Sequence, residues 1–360
     1  MNLTNSTYIN NSNKNNSKNT DKIYIGLWLF GLAFLVFLMI ILGGLTRLTE
    51  SGLSMVDWNL FMGVIPPISI SDWEEVFNKY QLYPEYQLVN KGMSLQDFKI
   101  IFWFEYSHRL LGRLIGLFFI FPYLYLLLTK KINLNLALLL LLIFLLGVFQ
   151  AFLGWFMVRS GLADKPDVSH YRLAAHLSMA IIIYILLSWA TLTEFLANNN
   201  KFIFSQIDKL LLVFLFWLLI VVVSGAFVAG TNAGLSYNTF PLMDGKYIPD
   251  GIFSLDPIYM NFFENLITIQ FMHRTLAIIT IFFSFIIWFL SFRTKSKKLH
   301  NRYNLLFLAT ILQVSIGIIT LISVVPISLG LIHQMGAMIL ITITVFTLHG
   351  SVYSFDQKIN

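Results

Sequence analysis

Long uninterrupted apolar runs alternate with short polar breaks along most of the chain. Runs at roughly 25–45, 101–128, 133–157, 173–196, 209–230, 264–291, 303–324 and 328–348 stand out, and each is long enough to cross a bilayer, which takes about 20 residues in a helix. Backbone groups in lipid must be satisfied within the segment, so runs of this length read as helices. The pattern predicts an all-α polytopic membrane protein with eight transmembrane helices. Residues 1–22 are rich in Asn, Ser, Thr and Lys and read as a disordered tail. Residues 351–360 read as a second, short tail. The first apolar run is full length and lacks a small-residue cleavage pattern, which marks it as a span and not a signal peptide.

Composition agrees with the pattern. Only 24 Lys and Arg and 18 Asp and Glu occur in 360 residues, 57% of which are hydrophobic, and mean hydropathy is +0.73. A water-soluble globule of this size could not hide so much apolar surface, so the lipid bilayer is the expected solvent. The net charge of +6 raises the question of nucleic acid, but its distribution is topological. Lys14, Lys18 and Lys22 precede the first span. Lys130 and Lys131, Lys201 and Lys209, and Arg293, Lys295, Lys297, Lys298 and Arg302 fill every second connection. Positive loops stay inside, which places both termini in the cytoplasm and the two large loops, about 46–100 and 231–263, outside. No nucleic-acid partner is implied. The chain has no cysteine, which excludes disulfides, thiolate metal sites and cysteine nucleophiles. Any metal must be held by His, Met or carboxylate.

The eight spans read as two four-helix halves, 23–200 and 201–350. Gly52-Leu53-Ser54 is echoed by Gly234-Leu235-Ser236, and Glu105, His108 and Arg109 by Gln270, His273 and Arg274. Gln150 to Gly154 is echoed by Gln313 to Gly317, and His176 by His333. An even number of spans per half gives a parallel repeat about an axis along the membrane normal.

Ionisable residues inside spans are costly and point to function. His108, His176, His273 and His333 lie in the outward third of the even-numbered spans, each followed four residues later by Gly112, Ala180, Ala277 or Ala337 on the same face. A single intramembrane histidine is often only an interhelical hydrogen bonder; four at equivalent places suggest two sites. Two imidazoles from facing helices are a common way to hold haem iron from both sides, pairing His108 with His176 and His273 with His333. Zinc would want four ligands together. Arg109 and Arg274 are placed to pair with haem propionates or to snorkel to headgroups. His170 reads as a surface residue of the connecting loop, and His300 and His349 lie at cytoplasmic depth.

The halves differ at one chemical position. Glu105 lies on the same face as His108, and its counterpart is Gln270; Arg113 is matched by Ile278. A carboxylate at this depth can serve as a base or stabilise developing positive charge, whereas an amide only hydrogen-bonds. A purely structural Glu105–Arg109 or Glu105–Arg113 pair is the competing reading. The asymmetry suggests chemistry in the first half and a fixed electron carrier in the second.

The run from Gly43-Gly44 through Arg47 and Glu50 to Ser54, then Trp58, Pro66-Pro67 and Glu105-x-x-His108-Arg109, resembles haem A synthase from about residue 22 to 350. The resemblance implies oxidation of a ring methyl of haem O to a formyl group through an alcohol. It implies His273 and His333 as axial ligands of haem b, with Arg274 beside them. It implies His108 and His176 as holding the substrate haem, with Arg109 and Arg113 nearby and Glu105 catalytic. One branch of the family carries a cysteine pair in the first outward loop. This chain has none, so it is similar to the cysteine-free branch of proteobacteria and mitochondria, and a bacterial inner-membrane location is implied. Implied partners are haem O, the membrane protoheme farnesyltransferase that makes it and an external electron acceptor, with room for a homo-oligomer. From the residues alone, a dihaem electron-transfer protein and a transporter are the other readings. No Gly/Pro-broken helix pair supports the transporter.

Overall fold

The computed structural model describes residues 3–57, 64–162, 166–196 and 204–353, with side chains from residue 20 onward. Its helices in chain order are α1 (Leu3–Leu48), α2 (Ile70–Tyr80), α3 (Pro84–Leu88), α4 (Leu95–Leu128), α5 (Leu134–Gly161), α6 (His170–Leu196), α7 (Gln206–Gly230), α8 (Asn261–Glu264), α9 (Leu266–Leu290), α10 (Lys297–Ile322) and α11 (Ile327–Val352). Eight of them are long and apolar enough to cross a membrane: α1, α4, α5, α6, α7, α9, α10 and α11. The chain is a multi-pass, all-α membrane protein.

Helix starts follow local chemistry. Ser94, Asn133, Asn265 and Ser296 accept hydrogen bonds from first-turn amides of α4, α5, α9 and α10, which removes donors that would otherwise be orphaned at a helix end. Within the spans, hydroxyls of Thr191, Thr280, Thr310 and Thr344 return to the carbonyl four residues back, so these polar groups carry no unmet demand in lipid.

The N-terminal stretch differs from expectation. The polar stretch read as a disordered tail is helical from Leu3 onward and continuous with the first span; extending an existing helix is far easier than nucleating one. Residues 354–360 of the second expected tail, the expected boundary at 200/201, and Trp58 lie outside the described residues.

In the first half α1 packs on α4 and α6, and α5 packs on α4 and α6; in the second α7 packs on α9 and α11, and α10 on α9 and α11. Each half is thus a ring of four in which α4 stands diagonally opposite α6, and α9 opposite α11. Between halves α1 meets α11, α6 meets α7, and α6 meets α11. The first two contacts exchange under the repeat and the third maps onto itself, the pattern of a two-fold relation. Polar bonds cross this interface from its outward end to its middle. Arg47 donates to the Ala229 carbonyl at 2.8 Å, Gln334 donates to the Ile40 carbonyl at 2.7 Å, and Tyr184 and Thr342 share a hydrogen bond of 2.7 Å.

The first long connection is a folded cap, which the apolar pattern does not reveal. α2 opens with a capping box between Ser69 and Asp72. Trp73 and Tyr80 pack on Phe98, Phe102 and Tyr106 of α4, with Trp73–Phe102 and Tyr80–Phe98 ring centres 5.0 and 5.1 Å apart.

Candidate functional site

The four histidines occupy equivalent places, one on each diagonal helix: His108 on α4, His176 on α6, His273 on α9 and His333 on α11. Each ring rests on a glycine of an adjoining helix. A Cβ added at Gly43, Gly154, Gly225 or Gly317 would stand 3.0, 3.0, 3.1 or 2.7 Å from the Cε1 of His108, His176, His273 or His333 respectively. These cradles make the room for the rings. Gly112 faces Met39 of α1, so its smallness serves helix packing.

The second half holds its pair ready. The Ser224 hydroxyl donates to the Val221 carbonyl at 2.7 Å, and its oxygen lies 2.8 Å from His273 Nδ1. With its proton committed, that oxygen accepts from Nδ1–H, which leaves the Nε2 lone pair free for a metal. Gln313 lies 3.2 Å from His333 Nδ1 and donates to the His333 carbonyl at 2.9 Å. The two rings face each other with centres 6.4 Å apart and planes at 87°. Imidazole–metal bonds of about 2 Å put the ring centres of two opposed ligands on one metal about 6 Å apart. The two rings therefore have the spacing of two imidazoles on one iron.

The first half is looser. Gln150 meets His176 through Nε2, at 3.2 Å, and donates to its carbonyl at 3.1 Å. The Nδ1 atoms of both His108 and His176 are buried without a hydrogen-bond partner, and among the described residues the two rings make no contact like that of His273 and His333. The donor chemistry is the same, with the Nδ1 atoms left unpartnered.

Above each site a loop is tied to its helix, and here the Glu/Gln difference acquires a structural meaning. Glu105 is 3% exposed. Its Oε2 accepts from the Ser54 hydroxyl and the Met55 amide, both at 2.8 Å, and its Oε1 accepts from Arg109 at 2.5 Å. Gln270 makes the equivalent strap with opposite polarity, donating to the carbonyls of Gly234 and Tyr237 at 3.3 and 3.0 Å. The arginines close both loops. Arg109 reaches the carbonyls of Met55 and Asp57 at 2.8 and 3.2 Å, and Arg274 those of Tyr237 and Thr239 at 2.6 and 2.8 Å. Each guanidinium has five donors, so a propionate could share it. Arg113 lies one turn deeper on α4, half-buried.

His170 is not a loop surface residue. It opens α6, its ring meets Phe227 edge-on at 5.3 Å, and its Cβ lies 2.6 Å from where a Cβ on Gly230 would be. The two halves press together there, which spacing within one span could not show. The sequence places Gly43, Gly154 and Gly317 in motifs without assigning them this role, and gives no sign of Ser224 or Gly225. The recurrence of Gln150-to-Gly154 as Gln313-to-Gly317 was the signal that could have found two of the glycines.

Diagonal imidazole pairs inside membrane four-helix bundles define the class: a polytopic membrane protein built for haem-type ligands. Comparison with known proteins narrows it. The family model described as cytochrome oxidase assembly protein (COX15-CtaA) matches residues 26–345. The haem A synthase of Nitrosospira multiformis is 46% identical over 90% of this chain and 92% of its own length. That of Parvibaculum lavamentivorans is 45% identical over 90% and 93%. Haem A synthase COX15 of Arabidopsis thaliana is 44% identical over 91% of this chain and 74% of its own. The chain belongs to the haem A synthase family.

Proposed function

We propose that the protein oxidises the ring methyl of haem O to the formyl group of haem A, with the first half as the reaction site and the second as a permanent haem b site. The observation that carries this division is the difference between the two pairs. His273 and His333 already stand at the spacing of two ligands on one iron, with Ser224 orienting the first. His108 and His176 keep unpartnered Nδ1 atoms, as suits a ligand that must enter and leave. Haem b, when bound, supplies one-electron redox chemistry; Arg274 lies next to its first ligand.

In the first half, His108 and His176 hold the substrate, and Arg109 and Arg113 face its acidic edge. Glu105 keeps a negative charge one turn outward of His108, next to charge that develops on the substrate during oxidation. Both its oxygens are bonded, so it also positions Arg109 and the 51–55 loop. The apolar tail of haem O suits a lipid-embedded site. The loops at 46–100 and 231–263 face outward from a bacterial inner membrane, with both termini in the cytoplasm, on the Lys/Arg distribution. Electrons leave to an external membrane carrier, and direct transfer of substrate from the membrane farnesyltransferase spares a greasy haem from water.

The test is pigment analysis of membranes that contain haem O, with and without this protein. Appearance of haem A only with the protein is expected. A dihaem electron-transfer protein would leave haem O unchanged.

A further inference from the structure

The cap over the first half contains a carboxyl group that neither fold nor haem binding accounts for. Glu85, on α3, is 5% exposed, and its Oε2 has no hydrogen-bond partner among the described residues. Beside it the Tyr80 hydroxyl, wholly buried, interacts with the carboxyl and accepts from Asn90 Nδ2 at 2.8 Å. Three acids from the surrounding elements act on Glu85: Glu105 on α4, Glu50 after α1 and Asp167 before α6. Arg109, the cation on the same stretch of α4 as Glu105, is bound to Glu105. Burial above all holds the Glu85 carboxyl up at about 8, against the hydrogen bond from Tyr80 that lowers it and with the three acids adding to the rise, and burial pushes the Tyr80 phenol up as well. A buried acid with an unpartnered oxygen is expensive for a loop to keep, and the outward loop of the second half is tied instead by the neutral amides of Asn261 and Asn265.

We propose that Glu85, with Tyr80, is the station through which protons released at the first half-site reach water on the outward face. The proposal rests on the reading of that half as the reaction site. The step it serves balances as –CH2OH → –CHO + 2 H+ + 2 e−, with the two electrons passing to a lipid-soluble quinone, which is reduced to the quinol. The Glu85 acid gives its proton outward to water, and the carboxylate so formed takes the next proton arriving from the site. Such a group works best when it ionises near the working pH, and the field of Glu105 ties its affinity for protons to the charge at the site.

The test uses the full-length protein in membranes, comparing wild type with Glu85→Gln, Glu85→Asp and Tyr80→Phe. Glu85→Gln should retain bound haem with an unchanged spectrum. The ratio of alcohol to haem A should rise by about 10-fold or more, and the inflection near pH 8 in the wild-type rate should vanish. Glu85→Asp should restore part of the rate. A separate readout is infrared difference spectroscopy. A protonated buried carboxyl band should be present at pH 7 in the wild type and absent from Glu85→Gln. Wild-type alcohol-to-haem A ratio and pH profile in Glu85→Gln would overturn the proposal, as would the absence of the carboxyl band from the wild type. If Glu85→Gln fails to accumulate, Tyr80→Phe must show the same build-up of alcohol, and a normal ratio there overturns it equally. If the wild type itself makes no haem A, the reading of the site fails, while the infrared result still reports on Glu85.

Discussion

His273 and His333 face each other across the second bundle with ring centres 6.4 Å apart and planes at 87°, although they lie on helices that stand diagonally opposite. What sets this spacing is the pair of glycines at the back of the rings, Gly225 and Gly317, and the polar groups that hold Nδ1.

His273→Ala or His333→Ala should therefore insert normally yet lose the low-spin spectrum of a bis-imidazole haem. Ser224→Ala should keep the haem but alter its reduction potential, because Nδ1–H loses its acceptor. Optical spectra and redox titration of the purified variants decide this. A normal haem content in either alanine variant would sink the ligand assignment.

The cradles make a sharper demand. In Gly317→Ala the new Cβ would stand 2.7 Å from His333 Cε1, closer than real contacts allow, so the ring must move and haem occupancy should fall. Gly116→Ala and Gly147→Ala, with no neighbour within 4 Å of the added carbon, serve as controls and should bind haem normally. Haem-to-protein ratio is the measurement.

Glu105→Gln separates charge from strap. The amide oxygen can still accept from Ser54 and Met55, but the nitrogen would oppose Arg109, which then keeps only its carbonyl partners. A lost charge-assisted bond costs roughly 1.5–3 kcal/mol, so some loss of thermal stability is expected with haem retained. Haem A formation should drop about 10²–10⁴-fold. Haem A at the wild-type level would make this carboxylate purely structural. Gln270→Glu should create no activity in the second half, since its amide nitrogen is needed as a donor to Gly234 and Tyr237.

Cap stability should depend on pH through Glu85. The carboxyl has an ordinary value of 4.5 and is held at about 8 in the native cap, so the native state binds the proton more tightly than the opened one. Below about pH 4.5 both are protonated and nothing is lost; stability then declines as pH rises toward 8 and levels off above it. Hydrogen exchange of residues 70–90, corrected for the intrinsic pH dependence of exchange, should show this slope in the wild type and none in Glu85→Gln.

Orientation is open to a direct check. Reporter fusions within 64–95 and 240–260 should lie outside the cytoplasm, and fusions at 130–133 and 293–298 inside it. The reverse result would invert the proton route as well.

The number of spans, their order and the presence of two matched halves are determined by the sequence alone. The reason is local: lipid offers no partner for a backbone amide, so every apolar run of sufficient length must become a helix. The four histidines are legible for the same reason, since a polar group in such a run is conspicuous. Relations across helices were not legible. Nothing in the spacing around His108 tells that its ring rests on Gly43, or that Ser224 is aimed at His273, because those contacts depend on how the diagonal helices rotate and approach. The roles of Glu105 and Glu85 were decided in the same way. Each is one acidic residue among several near the outward loop. Only the packed structure surrounds one with three donors and leaves the other buried without a cation, and burial and charge neighbours, not residue type, set what a carboxyl group can do.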